Sequence, residues 1–145
     1  LAIVPQQLAR ILSDQSLLSQ SYRSILVGGD AVSPALQQSA HELSLPTIYS
    51  YGSTETCGQV IATTPYGSPL EYRPLQNIVL NHHQGQLTIQ CDTLAHGTLT
   101  NHGLTKLPTI NDAFLTNDIV ELEPIFKFTP GLLNCLSSDP LCKKL

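Results

Sequence analysis

Ser24-Ile25-Leu26-Val27-Gly28-Gly29-Asp30-Ala31-Val32-Ser33-Pro34 decides the fold. The apolar run predicts a short buried strand over residues 24–28, and Gly28-Gly29 ends it. Ser33 is a strong helix cap, and Pro34 suits the first helical turn, where its missing N–H costs nothing. The helix should run to about Leu43, with Leu36, Ala40 and Leu43 as its buried stripe, and Pro46 should stop it. Thr47-Ile48-Tyr49-Ser50 then predicts a second strand. Strand, turn, helix, strand is the order of an α/β unit. Its strands should lie side by side and parallel, the helix crossing between them, with functional groups at their C-terminal ends.

Working outward, Pro5 and the spacing of Leu8, Ile11 and Leu12 predict a helix over residues 5–18. Pro65, Gly67, Pro69 and Pro74 mark a loop. Beyond it, Ile78-Val79-Leu80 and Gln86-Leu87-Thr88-Ile89-Gln90 flank a turn at Asn81-His82-His83-Gln84-Gly85, a hairpin pattern. Residues 92–112 are polar and rich in Gly, Thr and Asn. Ala113–Leu115 and Asp118–Leu122 are short strand candidates. The expected organisation is an α/β portion over 1–64, a β-rich portion over 65–124 and an irregular tail over 125–145.

Composition limits the function. The 145 residues suffice for one domain with a core, and 41% apolar content argues against wholesale disorder. Charged residues are only 12%, about half the usual share. Low charge predicts that part of this surface lies against flanking protein. A net charge of −4, with Lys143-Lys144 as its one basic run, offers nothing to a nucleic-acid backbone or an anionic membrane. No apolar run is long enough to span a bilayer. The chain starts at Leu1 and holds no methionine, which predicts a start inside a longer reading frame. Cys57, Cys91, Cys135 and Cys142 form no C-x-x-C pair, the expectation being reduced thiols in a cytoplasmic protein. His41, His82, His83, His96 and His102 show no metal-ligand spacing, and no G-x-S-x-G elbow is present.

The segment richest in chemistry is Tyr51-Gly52-Ser53-Thr54-Glu55-Thr56. By residue type alone it is a polar turn after a strand, with Gly52 free to take an unusual backbone angle. The Thr54 hydroxyl and Glu55 carboxylate suit a phosphate and its Mg²⁺, since hard cations prefer oxygen ligands. A surface turn with a solvated carboxylate explains the same residues.

The neighbouring residues add a resemblance. Y-G-x-T-E after a strand resembles the fifth core motif of adenylate-forming enzymes. Ile25 to Ser33 resembles the family's preceding strand and Gly-rich turn, one helix and one strand upstream as in the family. Val4-Pro5-Gln6-Gln7-Leu8, with Arg10 and Leu12, is similar to its V-P-T-Q-L-x-R-L-L helix. Gly85-Gln86-Leu87-Thr88-Ile89 stands where it has G-E-I-x-V, and Phe114-Leu115-Thr116-Asn117-Asp118 where it has F-x-T-G-D. Ser50 to Val60 is similar to the 2-succinylbenzoate–CoA ligases of menaquinone biosynthesis, acyl-CoA synthetases within this AMP-binding superfamily. The matches cover roughly residues 3–123.

The resemblance implies part of the large N-terminal domain of an adenylate-forming ligase, using ATP, Mg²⁺ and coenzyme A on a small carboxylic acid. It implies that Gly29, Asp30 and Ala31 offer backbone to adenine, that Tyr51 stacks on it and that Gly52 belongs to the nucleotide turn. Thr54 would bond the α-phosphate, Glu55 would hold Mg²⁺, and Asp118 would accept from the ribose hydroxyls. Ser50 and Gln59 would border the acyl pocket.

The departures are equally specific. The family's Ser/Thr/Gly-rich phosphate loop is not in this sequence. Asn117 stands where the family has glycine, a replacement that tolerates positive φ. Phe126 to Asn134 only faintly resembles the family's hinge, with Leu132 in place of its arginine. The lysine-bearing C-terminal domain does not follow, and Lys143 and Lys144 lack its pattern. The expectation is therefore an internal or truncated ligase sequence, inactive alone. The alternatives are a nucleotide-binding module without catalysis and an unrelated α/β interaction protein.

Overall fold

The computed structural model describes residues 1–66, 71–122 and 126–127. Gly67 and Pro69 of the predicted loop, and residues 128–145 with Lys143, Lys144, Cys135, Cys142 and most of the hinge-like segment, lie outside the described residues. In chain order the elements are β1 (Ala2–Ile3), α1 (Pro5–Ser13), α2 (Gln15–Leu18), β2 (Ile25–Val27), α3 (Pro34–Glu42), β3 (Thr47–Ser53) and β4 (Gly58–Ala62). There follow β5 (Arg73–Pro74), β6 (Val79–His83), β7 (Gln86–Gln90), β8 (Thr98–Thr100), β9 (Gly103–Thr105), β10 (Thr109–Ile110), β11 (Ala113–Ile119), β12 (Glu121–Leu122) and β13 (Phe126–Lys127). No described helix is long and apolar enough to cross a membrane.

The α/β unit forms as its sequence predicts, except in the helix's buried stripe: Leu43 is the C-cap and is 52% exposed, whereas Gln37 is buried beside Ala40. β1, β2 and β3 lie side by side in parallel, with Ala2 opposite Leu26 and Leu26 opposite Ile48. The Ser33 hydroxyl accepts from the Leu36 amide at 3.3 Å and caps α3, which opens on Pro34. One face of the three strands is covered by the helices. Leu8, Ile25, Val27 and Ala40 are fully buried there, with Tyr49 beside them. Each large aliphatic side chain so placed contributes about 1.5–3 kcal/mol of transfer free energy.

The helix predicted over 5–18 is two helices. Asp14 is extended (φ −113°, ψ 108°), and its carboxylate accepts from the Ser16 amide at 2.9 Å. A short side chain that bonds the backbone ahead of it restarts the helix rather than continuing it. The Ser16 hydroxyl and amide hold the Asp14 carboxyl below its usual range.

A second difference lies in the Tyr51–Thr56 segment. Tyr51, Gly52 and Ser53 continue β3, and the turn comes later, over Thr54–Cys57. β3 then pairs antiparallel with β4, which pairs with β5. The register slips by one between Tyr51↔Ile61 and Gly52↔Gln59, making Val60 a bulge residue. Alternation therefore breaks, and Val60 and Ile61 are both 0% exposed. Gly52 has no positive φ; it is required by space instead. A Cβ there would stand 2.0 Å from the Gly58 carbonyl oxygen.

The β-rich portion is a sheet in the order β10-β11-β7-β6. The β6–β7 turn is tighter than predicted, only Gln84 (φ 52°) and Gly85 (φ 84°), both left-handed as a two-residue hairpin turn of this hand demands. His82 and His83 belong to β6. β11 is one strand with an irregularity between Leu115 and Ile119, and Asn117 within it has no positive φ. β8 and β9 form a separate exposed hairpin within the polar, Gly-, Thr- and Asn-rich stretch 92–112. Leu87, Ile89 and Phe114 pack against Val60 and Ile61, so the bulge of β4 joins the two sheets.

The bulge makes Gly52 a stringent position. Gly52→Ala should lower unfolding stability by about 1–3 kcal/mol, the usual cost of overpacking. Urea titration of both proteins measures it; an unchanged midpoint would mean that β4 yields without strain.

Candidate functional site

Along β3, side chains alternate between faces. Tyr49 and Tyr51 point one way, Ser50 and Gly52 the other. The second face meets the ends of β1 and β2 in an open cleft of about 810 Å³. Gly28 and Gly29 form one wall, and Thr54, Glu55, Cys57 and Gly58 form another. Ser50, Gly52, Ser53 and Gln59 also line it.

Glycine is needed at the wall for two reasons. Gly29 is left-handed (φ 84°), and a Cβ on Gly28 would approach the Ser50 hydroxyl to 2.6 Å. The Ser50 hydroxyl in turn donates to the Val27 carbonyl and accepts from the Gln59 amide, both at 3.4 Å. Asp30 and Ala31 follow the glycines but do not line the cleft. The Asp30 carboxylate accepts from the Ala31 amide at 2.7 Å and from the Gln6 side chain at 3.2 Å.

The turn bearing Thr54 and Glu55 is organised by a residue that sequence reading passed over. Thr56 is 1% exposed. Its hydroxyl accepts from the Ser53 amide at 2.9 Å and shares its proton between the carbonyls of Ser53 (3.0 Å) and Gly58 (2.8 Å). The Cys57 amide closes the turn on the Thr54 carbonyl at 3.1 Å, and Cys57 is left-handed (φ 54°). Thr54 is exposed and Glu55 half-buried, so both can reach a ligand in the cleft.

Tyr51 and Asp118 meet on the other side of β3. The Tyr51 hydroxyl donates to the Asp118 carboxylate across 67 residues of sequence. Asp118 is held from behind, its amide donating to the Thr116 hydroxyl at 3.1 Å, which donates to the Leu87 carbonyl at 3.0 Å. Burial, then the Asp118 carboxylate, drives the Tyr51 hydroxyl well above its ordinary range, and the Glu55 charge adds to the shift. Glu55 thus lies within electrostatic reach of the pair. Asp118 retains acceptor capacity, since a carboxylate offers about four lone-pair sites.

Among the described residues no three His, Cys, Asp or Glu side chains gather as a metal site, and Cys57 and Cys91 are free thiols. A lone Glu55 beside Thr54 nevertheless fits Mg²⁺ as it accompanies nucleotides, where one or two carboxylates join phosphate oxygens and water.

The Tyr51–Asp118 bond has a pH signature. A tyrosine shifted upward contributes stability that is complete below its unfolded value, 10.0, and is lost as pH rises above it. Tyr49 and Tyr72 are also shifted upward, so the difference between wild type and Tyr51→Phe isolates this residue. That difference should be constant from pH 6 to 9 and shrink above 10 in denaturant titrations; a flat difference to pH 11 would contradict the assignment.

No family model matches the chain. The 2-succinylbenzoate–CoA ligase of Staphylococcus epidermidis is 27% identical over 133 residues, covering 85% of this chain and 28% of that protein. Escherichia coli MenE, solved with a bound phenylether-linked analogue of OSB-AMS, superposes with a TM-score of 0.73 at 25% identity, covering 86% of this chain and 28% of that one. The o-succinylbenzoate coenzyme A synthetase of Bacillus subtilis, in complex with ATP and magnesium ion, shares the fold with a TM-score of 0.68 at 20% identity, covering 88% of this chain and 30% of that one. This chain therefore spans about 28% of the length of the curated relatives it matches. The chain is thus similar in sequence and in fold to the adenylate-forming 2-succinylbenzoate–CoA ligases, and its fold is that of part of their large N-terminal domain.

Proposed function

We propose that this chain is the nucleotide-site portion of an ATP-dependent acid–CoA ligase, a 2-succinylbenzoate–CoA ligase of menaquinone biosynthesis, working in the cytoplasm. In that reaction a carboxylate oxygen attacks the α-phosphorus of ATP and pyrophosphate leaves. The thiol of coenzyme A then attacks the acyl carbon, and AMP leaves. The reading is carried by one observation: the Gly28-Gly29 wall and the Thr54-Glu55 turn face each other across a single cleft at the ends of parallel strands.

Each residue has a task in this reading. The backbone at Gly29, Asp30 and Ala31 takes adenine, with Tyr51 against the ring and Gly52 keeping the strand open to the nucleotide. Thr54 donates to the α-phosphate, and Glu55 holds Mg²⁺, which neutralises phosphate charge. Asp118, steadied by the Tyr51 hydroxyl, accepts from ribose. Ser50 and Gln59, already bonded to each other, border the acid. The division into portions at 1–64, 65–124 and 125–145 belongs to the same proposal.

These 145 residues carry neither the family's phosphate loop nor its lysine-bearing domain. Preorganised donors of that kind are each worth on the order of 10²–10³ in rate. Adenine and ribose contacts do not substitute for them, because they bind ground state and transition state alike.

The 145-residue chain should therefore bind AMP weakly and turn nothing over. With Mg²⁺, ATP and 2-succinylbenzoate it should show no acid-dependent ATP–pyrophosphate exchange and no thioester. Robust exchange that vanishes in Glu55→Ala would overturn the claim of inactivity. Asp118→Ala should weaken AMP binding by about tenfold, the value of a hydrogen bond to a charged acceptor. Calorimetric titration reads this, and unchanged affinity would remove Asp118 from the site.

A further inference from the structure

The turn that carries Glu55 is gripped from outside the hairpin. The Thr93 hydroxyl donates to the Thr56 carbonyl at 2.9 Å. The Ala95 amide donates to the Glu55 carbonyl at 2.8 Å. Two successive carbonyls of the turn are thus bonded by one short segment of the β-rich portion. Neither bond uses the Glu55 side chain, which stays available to the cleft.

The gripping segment is itself anchored. Cys91 and Leu94 pack on the core formed by Val60, Leu87 and Phe114. Because the Thr93 proton is committed to the Thr56 carbonyl, the Cys91 thiol is the donor in its 3.4 Å contact with the Thr93 hydroxyl. Anchoring and gripping residues alternate along residues 91–95, so the position of the turn is referred to the second core and not only to its own hairpin.

We infer that Thr93 and the Ala95 amide are positioning elements for the Glu55 carboxylate, fixing where it presents oxygen to the metal of a Mg²⁺–nucleotide. This rests on the nucleotide-site reading given above. A four-residue turn bonded only to itself would let the carboxylate wander, and loss of about 1 Å in placement is costly at such sites.

The test compares Thr93→Val with Thr93→Ser and wild type in the full 145-residue chain. Amide hydrogen exchange at Ser53, Cys57 and Ala95 should quicken by about tenfold in Thr93→Val, the equivalent of one lost hydrogen bond. The Ile25 amide, bonded to the Pro46 carbonyl far from the turn, should not change, and Thr93→Ser should restore the wild-type pattern. ATP affinity with Mg²⁺ should fall by a similar factor in Thr93→Val, while affinity with chelator present should not. Unchanged exchange at all three amides, or an equal loss of ATP affinity with and without metal, would overturn the inference. Absence of ATP binding in wild type would instead sink the nucleotide-site reading, while the exchange measurement still decides whether Thr93 holds the turn.

Discussion

The close approach of the Gly58 carbonyl to Gly52 governs much of the molecule. Only a residue without a Cβ lets β4 lie this near β3, and the one-residue slip at Val60 occurs at that point. The slip turns two successive β4 residues inward, and both become part of the core that joins the sheets. It also ends the hairpin in a four-residue turn closed by the Thr56 hydroxyl. A regular ladder would have carried the strands further and buried one of those two side chains less well. The turn bearing Thr54 and Glu55 and the inter-sheet core thus share one backbone irregularity.

Where several local signals coincide, the sequence was enough to predict the structure. β2, α3 and β3 are marked by an apolar run, a Ser-Pro cap and a proline stop, all pointing to the same unit. β4 carries the opposite kind of signal: Val60 and Ile61 are adjacent and both buried, so no period of two is visible. Asp14 is a plausible surface residue until its carboxylate is seen capping a new helix. β8 and β9 are exposed throughout and give no apolar alternation to read.

The candidate site divides the same way. Thr54 and Glu55 stand out because their chemistry is in their side chains. Asp118 was found by its motif, but its bond to Tyr51 spans two sheets and has no local trace. Thr93 bonds to a main-chain carbonyl, and Ala95 contributes only an amide. Nothing in residue type marks either of them out within the stretch 92–112. Contacts made through backbone are invisible until the fold brings the segments together.

The alternation of β3 explains why the implied nucleotide residues fall into two groups. Ser50 and Gly52 open on the cleft, whereas Tyr51 turns toward β11 and bonds Asp118. Thr54 and Glu55 come after the strand, where alternation no longer separates the faces, and Glu55 is close enough to add to the upward shift of Tyr51. In the proposed reading, a nucleotide would pass the end of β3, its phosphates at the turn and its ribose toward Asp118. Asp118 and Glu55 then bring two carboxylates to one polyanion, an arrangement that Coulomb repulsion disfavours unless a cation intervenes. Donation from the Tyr51 hydroxyl and the ribose offsets that cost at Asp118. At Glu55 the described residues supply no such donor, which is why the proposed reading gives this carboxylate a cation as its partner.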